Sequence, residues 1–396
     1  MFEQGVANTL VIVAAIIAIG LTLSKIKMGR MNLGVTWILF AGIAAGQAGF
    51  SIEPCSAQFI KEFGLILFIY SIGIEVGPKF FAAFKTGGLL LNGLAAAIIL
   101  LGCLTALAIG TLTGTEPAAM VGVLYGAVTN TPGLGAAQQA YVDLGGSNGS
   151  ELFAQGYAVA YPLGVVGIIL SITILRSLFH IDLERENLLY QKNANRNGLE
   201  LQRELERTQK PKHHQPNLFF IFMGIALGVV IGMLPIHIPG ISVPVKIGLA
   251  GGPLIVSILL TYFGPRMHIN TYTTESANLM LRQVGISLFM AVVGLGAGKG
   301  FIQTLLDGGY LWVLYGVIIT MLPCLIVGAI ARWGCKLSYF TIAGLISGAT
   351  TDPPALAYSN SICGGCQASI AYTTVYPLAM FLRVLAAQLL VIITCT

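Results

Sequence analysis

Two charged residues stand where charge is expensive. Asp352 lies in "SGATTDPPALA" and Arg383 in "YPLAMFLRVLAAQLLVII", each well inside an apolar run. Ionisable groups at membrane depth mark binding or coupling sites. Asp352 can take a proton, a cation or an ammonium group. Arg383 carries a planar fork that matches a carboxylate. Thr350 and Thr351 precede Asp352, and an uncharged copy of the stretch, "GAVTNTPGL", supplies Thr129, Asn130 and Thr131. These groups suit hydrogen bonds to a small polar solute. Each has a plainer role as well: Asp352, Asn130 and the threonines as helix caps, and Arg383 as partner of Asp352 or of backbone carbonyls.

Other chemistry finds little support. Cys363 and Cys366 form "CGGC", with redox or zinc spacing but no second pair or nearby histidine. The other five cysteines read as small hydrophobes, and His213 and His214 as solvated linker residues. The sequence has no P-loop, nucleophile elbow or metal-ligand helix motif. No cofactor, metal or enzymatic reaction is expected.

The elements that must hold these residues are membrane helices. Of 396 residues, 56% are hydrophobic and 9% charged, against roughly a quarter charged in soluble domains. Apolar runs long enough to span a bilayer recur along the chain. The net charge of +5 then bears on orientation, and nucleic acid is not an expected partner. The first run, Val6 to Leu23, has only Glu3 before it and Lys25, Lys27 and Arg30 after it. A secretory signal has the opposite polarity, so the run reads as a retained helix with its N-terminus outside.

One polar segment holds about a third of the charges and divides the chain into a membrane repeat (1–180), a charged linker (181–216) and a second membrane repeat (217–396). Three motifs recur in order: "FGLILFIYSIGIEVGPKFF" as "VGISLFMAVVGLGAGKGF", "GAVTNTPGL" as "GATTDPPAL", and "YAVAYPLG" as "YTTVYPLA". Each half shows six apolar segments, and the fifth (118–142 and 338–360) carries the broken motif. With Lys25, Lys27, Arg30, Lys79, Lys85, Arg266, Arg282, Arg332 and Lys336 inside, the fifth segment of each half becomes a re-entrant hairpin. Lys246 and Lys299 alone fall on the wrong side. The linker is then cytoplasmic, both termini lie outside, and each half makes five crossings. A discontinuous helix that crosses is the alternative.

The expected fold is an all-α polytopic membrane protein of two inverted repeats. Paired broken helices in such repeats place the site of a secondary transporter at the midplane, where helix N-termini suit anions and freed carbonyls suit cations. Glu75 is expected to snorkel or pair with Lys79. Pro162 and Pro377, after Tyr161 and Tyr376, are expected to kink their helices. The glycines of "GLGAGKG" (Gly294 to Gly300) allow close packing.

The motifs "GAVTNTPGLGAAQQA", "YAVAYPLG", "SGATTDPPALAYSN" and "YTTVYPLAMFLRVLAAQ" resemble the paired motifs of the aspartate–alanine exchanger family, with its YidE/YbjL-like bacterial transporters. The resemblance covers both membrane halves. It implies a bacterial inner-membrane carrier, elevator-type and often a homodimer, and does not fix the substrate; Arg383, Asp352 and the tips point to a small anionic or zwitterionic one. Such proteins usually carry two TrkA-C domains between the halves. The linker here, about 37 residues, is far too short for them. Exchange of amino acids is one expected function. Proton- or cation-coupled transport through Asp352 is a second, and a channel is a third of another class.

Overall fold

The computed structural model describes residues 5–25, 34–80, 88–146, 150–184, 186, 216–236, 245–267, 273–363 and 367–395. Cys366, His213, His214, Lys85, most of the linker, and the side chains of Lys79, Lys246 and Cys363 lie outside what is described.

The described chain is helical apart from one antiparallel pair, Pro235–Ile236 with Val245–Lys246. The first half contributes α1 (Val6–Leu23), α2 (Thr36–Gln47), α3 (Pro54–Phe80), α4 (Gly88–Thr113), α5 (Pro117–Ala127), α6 (Thr131–Asp143) and α7 (Ser150–Leu178). The second contributes α8 (Leu218–Met233), α9 (Gly248–Phe263), α10 (Glu275–Gly298), α11 (Leu311–Trp333), α12 (Tyr339–Ala349), α13 (Pro353–Cys363) and α14 (Gln367–Thr394). From α3 in the first half and α10 in the second, two long helices, two short ones and a long one follow in the same order, with the short helix Phe301–Thr304 added after α10. Among the described residues, seven helices are long and apolar enough to cross a membrane: α1, α4, α7, α9 with the turn that follows it, α10, α11 and α14. α2 falls short, since its 12 residues reach only about 18 Å at 1.5 Å each.

These helices are apolar nearly all round, as lipid rather than water bathes their outer faces. Leu89, Leu100, Leu104, Phe219, Phe222, Leu314 and Ile393 are exposed on them. Burial is reserved for narrow stripes. In α1 only Thr9, Val13, Ile16 and Gly20 are buried, one face at spacings of three and four.

Glycine sets how closely the helices approach. α3 and α10 cross where Gly64 meets Gly285, and a methyl group on Gly64 would stand 2.8 Å from the Gly285 carbonyl oxygen. These two glycines hold the same place in the repeated motif. Gly294 and Gly298 of α10 lie against Leu39 and Ile43 of α2, and Gly73 and Gly77 of α3 lie against Ser257 and Thr261 of α9. Of the "GLGAGKG" glycines, Gly294 and Gly298 therefore pack helices tightly, while Gly296 and Gly300 have open space at the Cβ position.

Contacts sort the helices into two groups. α1, α2, α3, α8, α9 and α10 pack mainly on one another, and so do α4 to α7 with α11 to α14. Between the groups contact is sparse, carried chiefly by α6 on α9, α7 on α10 and α14 on α3. Pro162 and Pro377 lie inside the continuous helices α7 and α14.

Candidate functional site

Each broken segment is a helix C-cap run straight into a helix N-cap. At the end of α5, the Thr129 N–H donates to the Gly126 carbonyl (3.0 Å) and the Asn130 N–H to the Tyr125 carbonyl (2.9 Å). At the end of α12, Thr351 donates to Gly348 (3.1 Å) and Asp352 to Ser347 (2.9 Å). This is the Schellman pattern, which needs a left-handed residue just past the cap. Thr129 (φ 55°) and Thr351 (φ 57°) take that conformation, although a β-branched side chain there costs of order 1–3 kcal/mol. The next residue caps the following helix. Asn130 Oδ1 accepts from the Gly133 N–H (2.7 Å), and Asp352 Oδ2 from the Ala355 N–H (3.3 Å). Pro132, Pro353 and Pro354 occupy first-turn positions that have no intrahelical donor to lose.

The two arms of each break fold back on one another. α5 runs in the same direction as α7, with Gly122 against Phe153 and Gly126 against Tyr157. α6 runs the other way: Thr131 Oγ1 lies 2.8 Å from the Tyr157 hydroxyl, while further along Gln138 Nε2 donates to the Ser150 carbonyl (3.2 Å). Both outer ends therefore sit beside the start of α7, and the tip lies about two turns deeper. The second half repeats this. Gly344 packs on Ala368 and Gly348 on Tyr372, and Asn360 Nδ2 donates to Ser369 Oγ (2.9 Å) near the start of α14. Each break is a helical hairpin, not a broken crossing.

The tips touch. Thr129 Oγ1 donates to the Thr350 carbonyl (3.3 Å), and Asn130 Nδ2 donates to Thr351 Oγ1 (3.0 Å). Residues more than two hundred positions apart are thus interlocked by the motif the sequence singles out. Thr350 Oγ1 turns back to the Ile346 carbonyl (2.8 Å). Arg383 lies beneath the end of α12, where its Nε donates to the Ala349 carbonyl (2.7 Å), and Tyr125 donates to the Arg383 carbonyl (2.7 Å). All seven expected residues are buried; Asp352 is 1% and Arg383 3% exposed.

Two atoms of this cluster are left over. Among the described residues, Asp352 Oδ1 and Arg383 Nη2 are buried without a hydrogen-bond partner, and the two side chains make no ion pair with each other within 4.0 Å. The capping roles are therefore real, and each side chain keeps one polar atom beyond its cap or carbonyl bond. An unpaired buried polar atom is costly in a finished fold, and a ligand group of opposite character removes that cost.

Sequence reasoning missed the surroundings of Asp352. Tyr157 and Tyr161 lie 5.3 Å apart and Tyr372 and Tyr376 5.1 Å apart, ring centre to ring centre. The Asp352 carboxylate is within electrostatic reach of Tyr157, Tyr161 and Tyr372. The repeated "YAVAYPLG" and "YTTVYPLA" held this signal, since each places two tyrosines four residues apart on one helix face. The Glu75 carboxylate binds Arg282 of α10 at 2.7 Å, a partner across a helix interface that sequence reasoning did not name, while the Lys79 side chain expected to pair with it lies outside what is described; Arg282 is also within hydrogen-bonding reach of the Tyr376 hydroxyl. No metal-binding group of three or more His, Cys, Asp or Glu is present among the described residues.

A helical membrane protein that buries polar hairpin tips against each other has the build of a solute carrier. Comparison with known proteins places it further. Residues 12–177 and 220–392 match the family described as "Predicted Permease Membrane Region", the aspartate–alanine exchanger family, and the chain belongs to that family. It is 39% identical to "Uncharacterized transporter BF2507" of Bacteroides fragilis over 548 positions, covering 99% of this chain and 97% of the relative. It is 37% identical to an "Uncharacterized transporter" of Bacteroides thetaiotaomicron over 542 positions, covering 98% of each. The 548 aligned positions exceed this chain's 396 residues by about 150. The protein is a multi-pass membrane transporter, not an enzyme.

Proposed function

We propose that this transporter is a secondary carrier of small carboxylate-bearing solutes, an amino-acid exchanger of the aspartate/alanine kind, whose site forms between the two hairpin tips. The observation that carries this reading is the pair of leftover atoms. Arg383 Nη2 is a buried cationic donor and Asp352 Oδ1 a buried acceptor at the interlocked tips, which suits a solute with a carboxylate and an ammonium group. Thr129, Asn130, Thr131, Thr350 and Thr351 supply the polar walls. The half-helix N-termini at α6 and α13 add partial positive charge toward the carboxylate.

The transport cycle in this reading moves α4–α7 and α11–α14, with both tips, against a scaffold of α1–α3 and α8–α10. The sparse contact between these groups supports such an elevator-like motion. Residues 1–180 and 217–396 are inverted repeats in the bacterial inner membrane, with the 181–216 linker in the cytoplasm and both termini outside. The matched glycine crossings support the repeat. The carrier works as a homodimer, as the family resemblance implies.

Proteoliposomes loaded with alanine should take up labelled aspartate, and Arg383→Ala should abolish that uptake while Arg383→Lys, which keeps the charge, retains part of it. Uptake unchanged by Arg383→Ala would remove the arginine from the site. A second reading rests on Asp352 alone, since an unpartnered carboxylate oxygen also suits a proton or cation. Uptake that needs an ion gradient, and no solute inside, selects that reading. Single-channel currents would reject both.

A further inference from the structure

A cavity of about 160 Å³ opens between the two helix groups at the opposite end of their interface from Glu75 and Arg282. Gln58 and Lys61 of α3 and Gly296 of α10 line it from one group, and Gln138 of α6 with Ser150 and Glu151 of α7 line it from the other. Its volume is that of about five waters at ~30 Å³ each, below the drug-sized range and suited to one small solute.

The lining is chemically unbalanced in an informative way. Lys61 forms no ion pair within 4.0 Å among the described residues, although Glu151 and Glu62 lie within electrostatic reach. Glu62 is engaged by Gln58 on its own helix. Gln138 is 5% exposed, gives its amide N–H to the Ser150 carbonyl, and keeps Oε1 without a partner among the described residues. The cavity therefore offers a free ammonium, a carboxylate across from it, and an unused buried acceptor. α3 and α7 both begin at its wall, so their positive ends add to the Lys61 side of the balance.

Position in the repeat sharpens this. "KEFGLILF" (Lys61 to Phe68) aligns with "RQVGISLF" (Arg282 to Phe289), so Lys61 and Arg282 hold equivalent places. Arg282 is held by Glu75 at 2.7 Å and stands beside Tyr376. Lys61 has no such latch. At one end of the interface the cation is paired, and at the other it is not.

We propose that the Lys61 cavity is a vestibular subsite for a zwitterionic amino acid, with the solute carboxylate on the Lys61 ammonium and its ammonium toward Glu151 and Gln138 Oε1. This rests on the reading of the chain as an amino-acid carrier and adds a place where the solute waits before the tips receive it. The subsite serves one face of the membrane only.

The test is L-aspartate exchange in proteoliposomes with the carrier in a known orientation, with KM measured from each face. Lys61→Gln should raise KM at the Lys61 face about tenfold, the loss of one charge-assisted contact, with the maximal rate and the opposite face unchanged. Lys61→Arg should restore KM. Glu151→Gln, at an exposed helix start where folding is spared, should raise the same KM at the same face. An unchanged KM in Lys61→Gln, an equal rise at both faces, or a failure of Lys61→Arg to restore it overturns the subsite while wild-type exchange still upholds the carrier. If the wild type exchanges no amino acid, the carrier reading falls and the subsite falls with it.

Discussion

Asn130 and Asp352 do the same mechanical work with different charge. Each follows a left-handed threonine, each accepts a hydrogen bond from the backbone three residues on, and each is sealed from solvent. Asparagine is thus already known to the fold as a cap at this place, and caps of the two residue types are near equal in strength. Asp352→Asn should leave the melting temperature of the purified protein within a few degrees of wild type, since the capping difference is only a few tenths of a kcal/mol. It should abolish solute uptake, because the free acceptor for an ammonium, proton or cation is gone. Uptake at the wild-type rate would reduce Asp352 to a cap. The reverse change, Asn130→Asp, loses the Nδ2 donor that joins the tips at Thr351 and puts a second carboxylate beside the first.

At the level of elements, the breaks were legible because proline, glycine and polar side chains cannot continue an apolar helix without a cap, and because the pattern occurs twice. The tips' meeting was legible from the repeat. The partner Arg282 of Glu75 was not legible for a physical reason: it is 207 residues away, and only the crossing of α3 and α10 brings it near. The short span of α2 was hidden too, since an apolar run from 33 to 50 does not reveal where its helix starts and stops. That crossing also carries a prediction. Gly64→Ala would drive a methyl group to 2.8 Å from the Gly285 carbonyl oxygen and 2.9 Å from the Phe289 amide nitrogen, between two backbones that cannot yield locally. It should destabilise the protein by about 2 kcal/mol, as overpacking does. Gly93, in the second turn of α4, has open space at the same position, and Gly93→Ala should stabilise by about 0.5–1 kcal/mol through helix propensity. Thermal melting in detergent separates the two. A rise in both would show that the α3–α10 crossing is looser than its geometry.

The whole molecule is less symmetric than its parts. α6 packs extensively on α14, while its counterpart α13 touches α7 only lightly. α6 also rests on α9, with no equally strong contact of α13 on α2 among the described residues. A sequence repeat with unequal contacts is what one end state of an alternating cycle looks like, and the paired Arg282 against the unpaired Lys61 agrees with it. If the two helix groups slide past each other, contacts between them must break in each cycle, and a covalent bond across them must stop it. Leu65 of α3 and Gly135 of α6 offer the place. A Cβ built on Gly135 lies against the end of the Leu65 side chain and 3.2 Å from the Phe289 ring, so cysteines at 65 and 135 face each other, and a disulfide forms where their Cβ atoms come to about 3.5–4.5 Å. In a background with the seven native cysteines replaced, oxidised Leu65→Cys/Gly135→Cys should lose exchange and regain it on reduction, and each single variant should keep it under oxidant. The oxidised form should still bind solute at one face, because the bond fixes the state in which the Lys61 cavity is open. Full exchange in a fully cross-linked sample would mean that α3 and α6 do not separate during transport, and the moving-bundle reading would give way to a local opening of the tips.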